Sequence, residues 1–274
     1  MAYKISLAGD LGSGKSTVAS ILTERLGAEY YSTGSIMRRL AAEQGMTIEE
    51  FNRSIEGKPE TDRLIDDGLA ALSDDPRALI IDSRMAWHFV RGTFRVYLST
   101  DPDISAARIF CARRSEERFD SVEQARLSIA ARKASERSRY KAFYGVDNKD
   151  MMNYDLVLDT SYITPEQVAD FICMAFDEWK NDPDFRACMM SPRRLFYPDD
   201  EADLETAAAL SASYDEGEIP ETVCVQEHDG GFYVIEGVES ALGQALSDVL
   251  MISCRLLPGA PADPSAFVRM ANSL

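Results

Sequence analysis

The 274-residue sequence predicts two units: a three-layer α/β/α domain with a parallel sheet over residues 1–180, and a smaller, acidic α+β domain over residues 181–274. In the first unit, short apolar runs alternate with helical patterns, which is typical of a parallel sheet with helices on both faces. The charge also divides the chain, because residues 1–176 carry 23 basic and 27 acidic side chains, whereas residues 177–274 carry 6 and 19. Such a difference favours two domains.

The first unit is predicted to contain five strands and several helices. The predicted strands cover residues 3–8, 28–31, 78–82, 94–98 and 155–159. The predicted helices cover residues 17–26, 35–44, 62–72, 103–144 and 165–179. Thr47 and Glu50 have the spacing of a capping box, so a further helix is expected to begin there. The strand at 78–82 is apolar until it ends at Asp82, as buried parallel strands commonly are.

The second unit has a different pattern, which begins after a linker at Asn181–Asp184 and a segment at 191–196. Two apolar runs flank Asp229-Gly230-Gly231 and predict a hairpin. The remaining predicted elements are helices at 204–213 and 240–250 and a strand at 251–257.

Composition excludes several classes of protein. The chain is 45% hydrophobic, which is enough for a packed core, and it has no run of 18 apolar residues, so no membrane span is expected. The N-terminus enters the first strand directly, which leaves no room for a signal peptide. The five cysteines are scattered and only two histidines occur, so neither a disulfide framework nor a zinc site is expected. We therefore expect a cytoplasmic protein, and the net charge of −17 argues against nucleic acid as its main partner.

The residues from Gly9 to Ser16 read Gly-Asp-Leu-Gly-Ser-Gly-Lys-Ser and fit the phosphate-binding pattern G-x-x-x-x-G-K-[ST]. A predicted strand precedes them and a predicted helix follows, which disfavours the alternative of a glycine-rich turn that binds nothing. Such loops turn backbone N–H groups toward a phosphate at a helix N-terminus. We expect Lys15 to reach the outer phosphates of ATP as a catalytic residue, and Ser16 to bind Mg²⁺. The predicted ATP-binding residues are Gly9, Gly12, Ser13, Gly14, Lys15, Ser16 and Thr17.

Three residues outside this loop suggest a metal ligand and an acceptor site. Asp82 ends a strand, where an acid would orient Mg²⁺ or its water shell; the alternative is an ordinary strand-end turn. Arg38, four residues after Gly34, and Arg84 could hold an acceptor that carries its own phosphate, since arginine binds phosphate through two parallel hydrogen bonds. The alternative for both arginines is a solvated or salt-bridged surface position.

Eleven basic residues lie between Arg108 and Lys149. A mobile arginine segment could supply positive charge around a phosphoryl group in transfer and exclude water. The alternative, a pair of solvated helices with acidic partners, is favoured for most of these residues. Arg132 and Arg137 are the preferred catalytic candidates, and Arg139 is a candidate for substrate binding.

Residues 3–176 resemble an archaeal-type (type 2) cytidylate kinase, one of the P-loop nucleoside monophosphate kinases. The matching stretches are Gly12-Ser13-Gly14-Lys15-Ser16-Thr17, Ser32-Thr33-Gly34 with Arg38, Asp82-Ser83-Arg84-Met85-Ala86, Arg132 with Ser135-Glu136-Arg137-Ser138-Arg139-Tyr140, Tyr144-Gly145-Val146-Asp147, and Tyr154-Asp155-Leu156-Val157-Leu158-Asp159-Thr160. The resemblance implies a P-loop kinase fold with ATP at the P-loop. It also implies an acceptor, CMP or dCMP, between Arg38, Arg84 and a lid from 108–118 and 132–139. No side chain need act as a base, because the nucleophile is already a phosphate oxygen.

The chain departs from the family pattern at two places. The family usually has Gly-Arg where this chain has Asp82-Ser83-Arg84, and often has Pro where this chain has Asp10-Leu11. A carboxylate at Asp10 would be unfavourable beside bound phosphates unless it faces away from them or contacts a cation. Two alternatives stay open: a P-loop kinase for another small metabolite, and a nucleotide-sensing regulator that acts through the C-terminal domain.

Residues 188–258 resemble a ParB/sulfiredoxin-like domain, through Pro192-Arg193 with Leu195 and through 231–237. That family continues with an arginine-containing signature that binds nucleotide phosphate, whereas this chain has Gly237-Val238-Glu239-Ser240. The resemblance thus implies a domain without nucleotide chemistry that serves a structural role, binds a protein partner or mediates self-association. A generic α+β accessory domain is the alternative.

Overall fold

The structure is a computed structural model that describes residues 3–47, 50–51, 54, 59–112, 119–198 and 202–270. Its strands are β1 (Lys4–Gly9), β2 (Glu29–Ser32), β3 (Leu79–Asp82), β4 (Thr93–Ser99), β5 (Leu156–Asp159), β6 (Ala187–Met190), β7 (Leu195–Pro198), β8 (Val223–His228), β9 (Gly231–Glu236), β10 (Ile252–Leu257) and β11 (Phe267–Arg269). Its helices are α1 (Lys15–Leu26), α2 (Thr33–Glu43), α3 (Pro59–Ala71), α4 (Ala86–Phe89), α5 (Pro102–Cys111), α6 (Val122–Tyr144), α7 (Pro165–Asn181), α8 (Leu204–Asp215) and α9 (Val238–Leu246).

Five parallel strands form the N-terminal half of the sheet, in the order β2-β3-β1-β4-β5. Because side chains alternate along a strand, β1 presents Ile5 and Leu7 to one face of the sheet and Ala8 to the other. Ile5 and Leu7 pack with α1 and α7 in one apolar core. Ala8 belongs to a second core on the opposite face. The predicted parallel sheet with helices is therefore confirmed.

The sheet continues without a break into the C-terminal region. β6 pairs with β5 in parallel and with β10 in antiparallel orientation, and the complete order is β11-β7-β9-β8-β10-β6-β5-β4-β1-β3-β2. The second core joins Ala8 and Tyr97 of the first unit to Met190 and Leu195 of the second. The boundary predicted near residue 181 thus lies between two parts that share one sheet and one core.

Local sequence patterns predicted many helices and strands with ends close to the observed ones. Thr47 and Glu50 form both hydrogen bonds of the predicted capping box, at 2.8 and 3.1 Å. The predicted hairpin is formed by β8 and β9, and its turn places Asp229 and Gly230 at positive φ. The helical region predicted over 103–144 consists of α5 and α6, and residues 113–118 of the expected lid lie outside the described residues.

Two further findings concern the membrane and the thiols. Within the part of the chain that the structure describes, no helix is long and apolar enough to cross a membrane. All five cysteines are free thiols.

Candidate active site

The predicted phosphate-binding loop joins β1 to α1, and three glycines determine its path. Gly9, Gly12 and Gly14 have φ values of 147°, 74° and 81°. A Cβ atom on Gly9 would lie 2.4 Å from the Leu98 carbonyl oxygen, and one on Gly12 would lie 2.9 Å from the Ser105 carbonyl oxygen. Side chains at these two positions would therefore clash with β4 and α5, and the positive φ values also favour glycine.

Lys15 is the first residue of α1, and its side chain contacts the backbone of the loop. Its Nζ donates hydrogen bonds to the carbonyl oxygens of Gly9 at 3.1 Å and Asp10 at 2.8 Å. Ser13 Oγ also donates to the Asp10 carbonyl, at 2.8 Å. Burial lowers the pKa of Lys15 to about 8, and the nearby Arg84 contributes to this shift while Asp82 opposes it. The ammonium group of Lys15 therefore lies beside the loop backbone, where its charge could stabilise an anionic ligand.

Oxygen ligands suited to Mg²⁺ lie next to this lysine. Ser16 is exposed in the first turn of α1, and Asp82 ends β3, where it pairs with Leu7 of β1. Tyr30 donates a hydrogen bond to Asp82 Oδ2 at 2.9 Å. Hydroxyl and carboxylate oxygens match the ligand preference of Mg²⁺, which usually keeps several waters and substrate phosphate oxygens. Ser16 and Asp82 therefore fit the predicted metal site.

Asp10 is buried within the loop, and it contacts two cations. Its Oδ1 accepts from Lys149 Nζ at 2.7 Å and lies 2.9 Å from Lys133 Nζ, while Oδ2 accepts from the Thr100 backbone N–H at 3.0 Å. Tyr97 donates to Oδ1 at 3.1 Å. Although burial raises the pKa of this carboxyl, Lys149 and Lys133 outweigh that effect and hold the pKa well below its usual range. The condition that the sequence set for Asp10, contact with a cation, is met.

Arg84 and Arg132 are brought together by Glu136, an acid of the arginine-rich segment that was not among the predicted site residues. Glu136 accepts from Arg132 Nε at 3.2 Å and forms an ion pair with Arg84. Burial, with Arg132 as a further cause, lowers the pKa of Arg84 to about 10. Arg84 and Glu136 line the same small pocket as Gly9 and Asp10. The helical spacing of Arg132 and Glu136, four residues apart, was the available signal for this pair.

Two predicted substrate-binding residues, Arg38 and Arg139, and one predicted catalytic residue, Arg137, contact groups outside this pocket. Arg38 is exposed on α2, where its Nη2 donates to Ser35 Oγ at 3.3 Å and its guanidinium lies beside Gly34. Arg137 forms a two-pronged ion pair with Asp147, with a closest distance of 2.5 Å. The guanidinium of Arg139 lies 5.3 Å from the ring centre of Tyr140. Arg137 would have to exchange its carboxylate partner before it could bind a phosphate.

Two residues of α5 donate hydrogen bonds to carbonyls of the loop, and neither was among the predicted site residues. Ser105 Oγ donates to the Leu11 carbonyl at 2.5 Å. Arg108 donates to the Gly12 carbonyl at 3.4 Å and to the carbonyls of Thr160 and Ser161 at 2.8 and 3.1 Å. Arg108, expected at the start of a mobile lid, is therefore anchored between the loop and the end of β5.

Comparison with known proteins gives relatives for the first unit. Residues 4–162 match the model of the cytidylate kinase-like family. The chain is 39% identical over 176 residues to the cytidylate kinase of Methanocella arvoryzae, which covers 64% of this chain and 98% of that protein. It is 37% identical over 173 residues, 63% of its length, to an S-adenosylmethionine-dependent nucleotide dehydratase of Lacinutrix mariniflava, but the match spans only 35% of that protein.

Among solved structures, an uncharacterized protein from Eubacterium ventriosum superposes with a TM-score of 0.50 at 16% identity. The superposition covers 65% of this chain and 99% of that one. At this level of identity, the likeness concerns the fold alone.

Proposed function

This chain belongs to the cytidylate kinase-like family, and we propose that it transfers the γ-phosphoryl group of ATP to a nucleoside monophosphate, CMP or dCMP. The observation that carries the proposal is the position of Arg84. This arginine lines one pocket with Gly9 and Asp10 of the loop, so it could hold the acceptor's phosphate beside the loop that binds ATP. Relatives named as cytidylate kinases support CMP as the acceptor.

In the proposed reaction, the loop and Lys15 hold the phosphates of ATP. Backbone N–H groups at the start of α1 point along the positive end of the helix dipole and bind phosphate oxygens. Lys15 exchanges its bonds to the carbonyls of Gly9 and Asp10 for bonds to the outer phosphates. Ser16 and Asp82 would hold Mg²⁺, which neutralises charge on the phosphate oxygens when it is bound.

Arg84 and Arg132 are proposed to neutralise the acceptor and the phosphoryl group in transfer. Both arginines now share Glu136, so a bound phosphate would compete with this carboxylate for them. The attacking atom is an oxygen of the acceptor's phosphate, which carries negative charge at neutral pH, so no side chain has to remove a proton. Catalysis then consists of alignment and charge neutralisation.

The test is ADP release from Mg·ATP in a coupled assay with CMP, dCMP, UMP, AMP, GMP and free serine, each in turn. We expect turnover with CMP or dCMP, and none with Lys15→Ala, whose thermal unfolding should show that it is folded. Turnover with serine and not with a nucleotide would show that the acceptor is not a nucleoside monophosphate. ATP binding without turnover on any acceptor would contradict the kinase proposal.

A further inference from the structure

Arg194 connects the C-terminal region to the carboxyl ends of the parallel strands, where the proposed ATP site lies. This side chain is 2% exposed, and its Nη1 donates to Asp159 Oδ1 and Ser161 Oγ, both at 3.0 Å. Its Nη2 donates to the carbonyl of Gly230, in the turn between β8 and β9, at 2.7 Å. Asp159 is the last residue of β5, so Arg194 lies at the carboxyl end of the parallel strands, where the P-loop also begins.

A second arginine, Arg269 in β11, reaches the same end of the sheet. Its Nη2 lies 2.5 Å from Asp101 Oδ2 and 3.2 Å from the hydroxyl of Tyr162. The other oxygen of Asp101 accepts from the backbone N–H groups of Asp103 and Ile104, which caps the first turn of α5. Arg269 therefore fixes the start of α5.

Arg194 and Arg269 contact residues that adjoin the two side chains bound to the P-loop. In α5, Ser105 binds the Leu11 carbonyl and Arg108 binds the Gly12 carbonyl. Arg108 also binds the carbonyls of Thr160 and Ser161, next to the groups that Arg194 contacts. Each C-terminal arginine is thus connected to the P-loop backbone through one segment, which is α5 for Arg269 and residues 159–162 with Arg108 for Arg194.

We propose that Arg194 and Arg269 are positioning residues for ATP, and that the C-terminal region braces the P-loop through α5 and residues 159–162. The inference rests on the proposed binding of ATP at the P-loop. The family match ends at residue 162, so this brace is an addition to the family core. ATP affinity then depends on two C-terminal arginines that act through α5 and residues 159–162.

The chain offers a matched control at the opposite end of β5. Arg186 also belongs to the C-terminal region, and its Nη1 lies 2.8 Å from Asp155 Oδ1, immediately before β5. It therefore joins the same two parts of the chain by the same type of ion pair. Asp155 lies at the amino end of β5, away from Asp159 and the P-loop. Asp155 also pairs with Arg95, so it keeps a cation in Arg186→Gln, and this variant reports the loss of one contact between the two parts of the chain.

The experiment compares Arg269→Gln with Arg186→Gln in the full-length chain. The dissociation constant of ATP is measured by titration calorimetry, and KM for CMP and kcat are measured by ADP release. We expect Arg269→Gln to weaken ATP binding at least about fivefold, the lower range of measured couplings between sites, with KM for CMP within about twofold of wild type. Arg186→Gln should bind ATP like wild type, and Arg269→Lys should recover part of the loss because it restores the charge.

Unchanged ATP affinity in folded Arg269→Gln would overturn the brace, as would an equal loss in Arg186→Gln. A second measurement needs no variant: hydrogen exchange of the wild type with and without Mg·ATP. Because coupling is reciprocal, ATP should slow exchange at residues 192–198 and 264–270, and no change there would overturn the proposal. Wild type that binds ATP but does not use CMP would refute the proposed acceptor alone, since ATP affinity still tests the brace.

Discussion

Replacement of Asp10 by asparagine tests the charge arrangement inside the P-loop. Asparagine keeps the size of the side chain, removes its charge and replaces one accepting oxygen with an NH₂ group that donates. In the wild type, this carboxylate lies 2.7 Å from Lys149 Nζ and 2.9 Å from Lys133 Nζ. The variant leaves both ammonium groups next to a neutral amide. We therefore expect Asp10→Asn to destabilise the folded protein.

The size of the effect follows from burial. Removal of one partner of a fully buried ion pair costs about 3–5 kcal/mol. The side chain of Asp10 is 9% exposed, but those of Lys149 and Lys133 are 21% and 27% exposed, so water solvates them in part. We expect a loss of about 2–3 kcal/mol in the free energy of unfolding, and a decrease in Tm of about 5–10 °C in a chain of this size.

The assay is urea unfolding of both proteins from pH 3 to pH 8. Because the native state lowers the pKa of Asp10, its contribution is complete above the unfolded-state pKa near 3.9 and decreases as the pH falls below that value. The difference between wild type and Asp10→Asn should be constant from pH 5 to pH 8 and smaller at pH 3. Equal stability at pH 7, or a difference that grows on acidification, would refute the reasoning.

Three further predictions concern ligands. Because the pKa of Lys15 is about 8, ATP binding above pH 8 must take up a proton, and the affinity for ATP should fall by up to about tenfold per pH unit there. Titration calorimetry at pH 9 in two buffers of different ionisation enthalpy measures this proton uptake. Binding without proton uptake would contradict the prediction. Arg84→Ala and Arg38→Ala should each raise KM for CMP about tenfold or more, the loss of a charge-assisted hydrogen bond, with ATP affinity within about twofold of wild type; equal losses of both would count against their assignment to the acceptor. Asp82→Asn should raise the Mg²⁺ concentration for half-maximal turnover about tenfold, as loss of a metal-bound or nearby carboxylate does, and an unchanged Mg²⁺ dependence would remove Asp82 from the metal site.

Local patterns were enough to predict the first half of the fold and one hairpin of the C-terminal region. The P-loop pattern, the capping box at Thr47 and the hairpin turn at Asp229 all depend on neighbours within a few residues. Strands β6, β7 and β11 were not predicted. They are three or four residues long, too short to show a clear alternation, and their pairing depends on partners far away in the chain.

Long-range contacts explain what the site predictions lacked. Asp10 was recognised as a carboxylate that needs a cation, but its partners follow it by 123 and 139 residues, and both lie among eleven basic residues. Sequence spacing does not indicate which of those residues returns to β1. The same holds for Arg194 and Arg269, which lie in the region that the sequence assigned to a separate domain. Their contacts follow from the continuation of the sheet across residue 181.

Transfer of label from γ-³²P-ATP to CMP tests the central claim most directly, because it identifies the bond that forms. With Mg²⁺ present, we predict that the label appears in CDP at the rate of ADP release, and that Lys15→Ala yields no labelled CDP. Label released as inorganic phosphate at the same rate with and without CMP would contradict the assignment of this protein as a nucleoside monophosphate kinase.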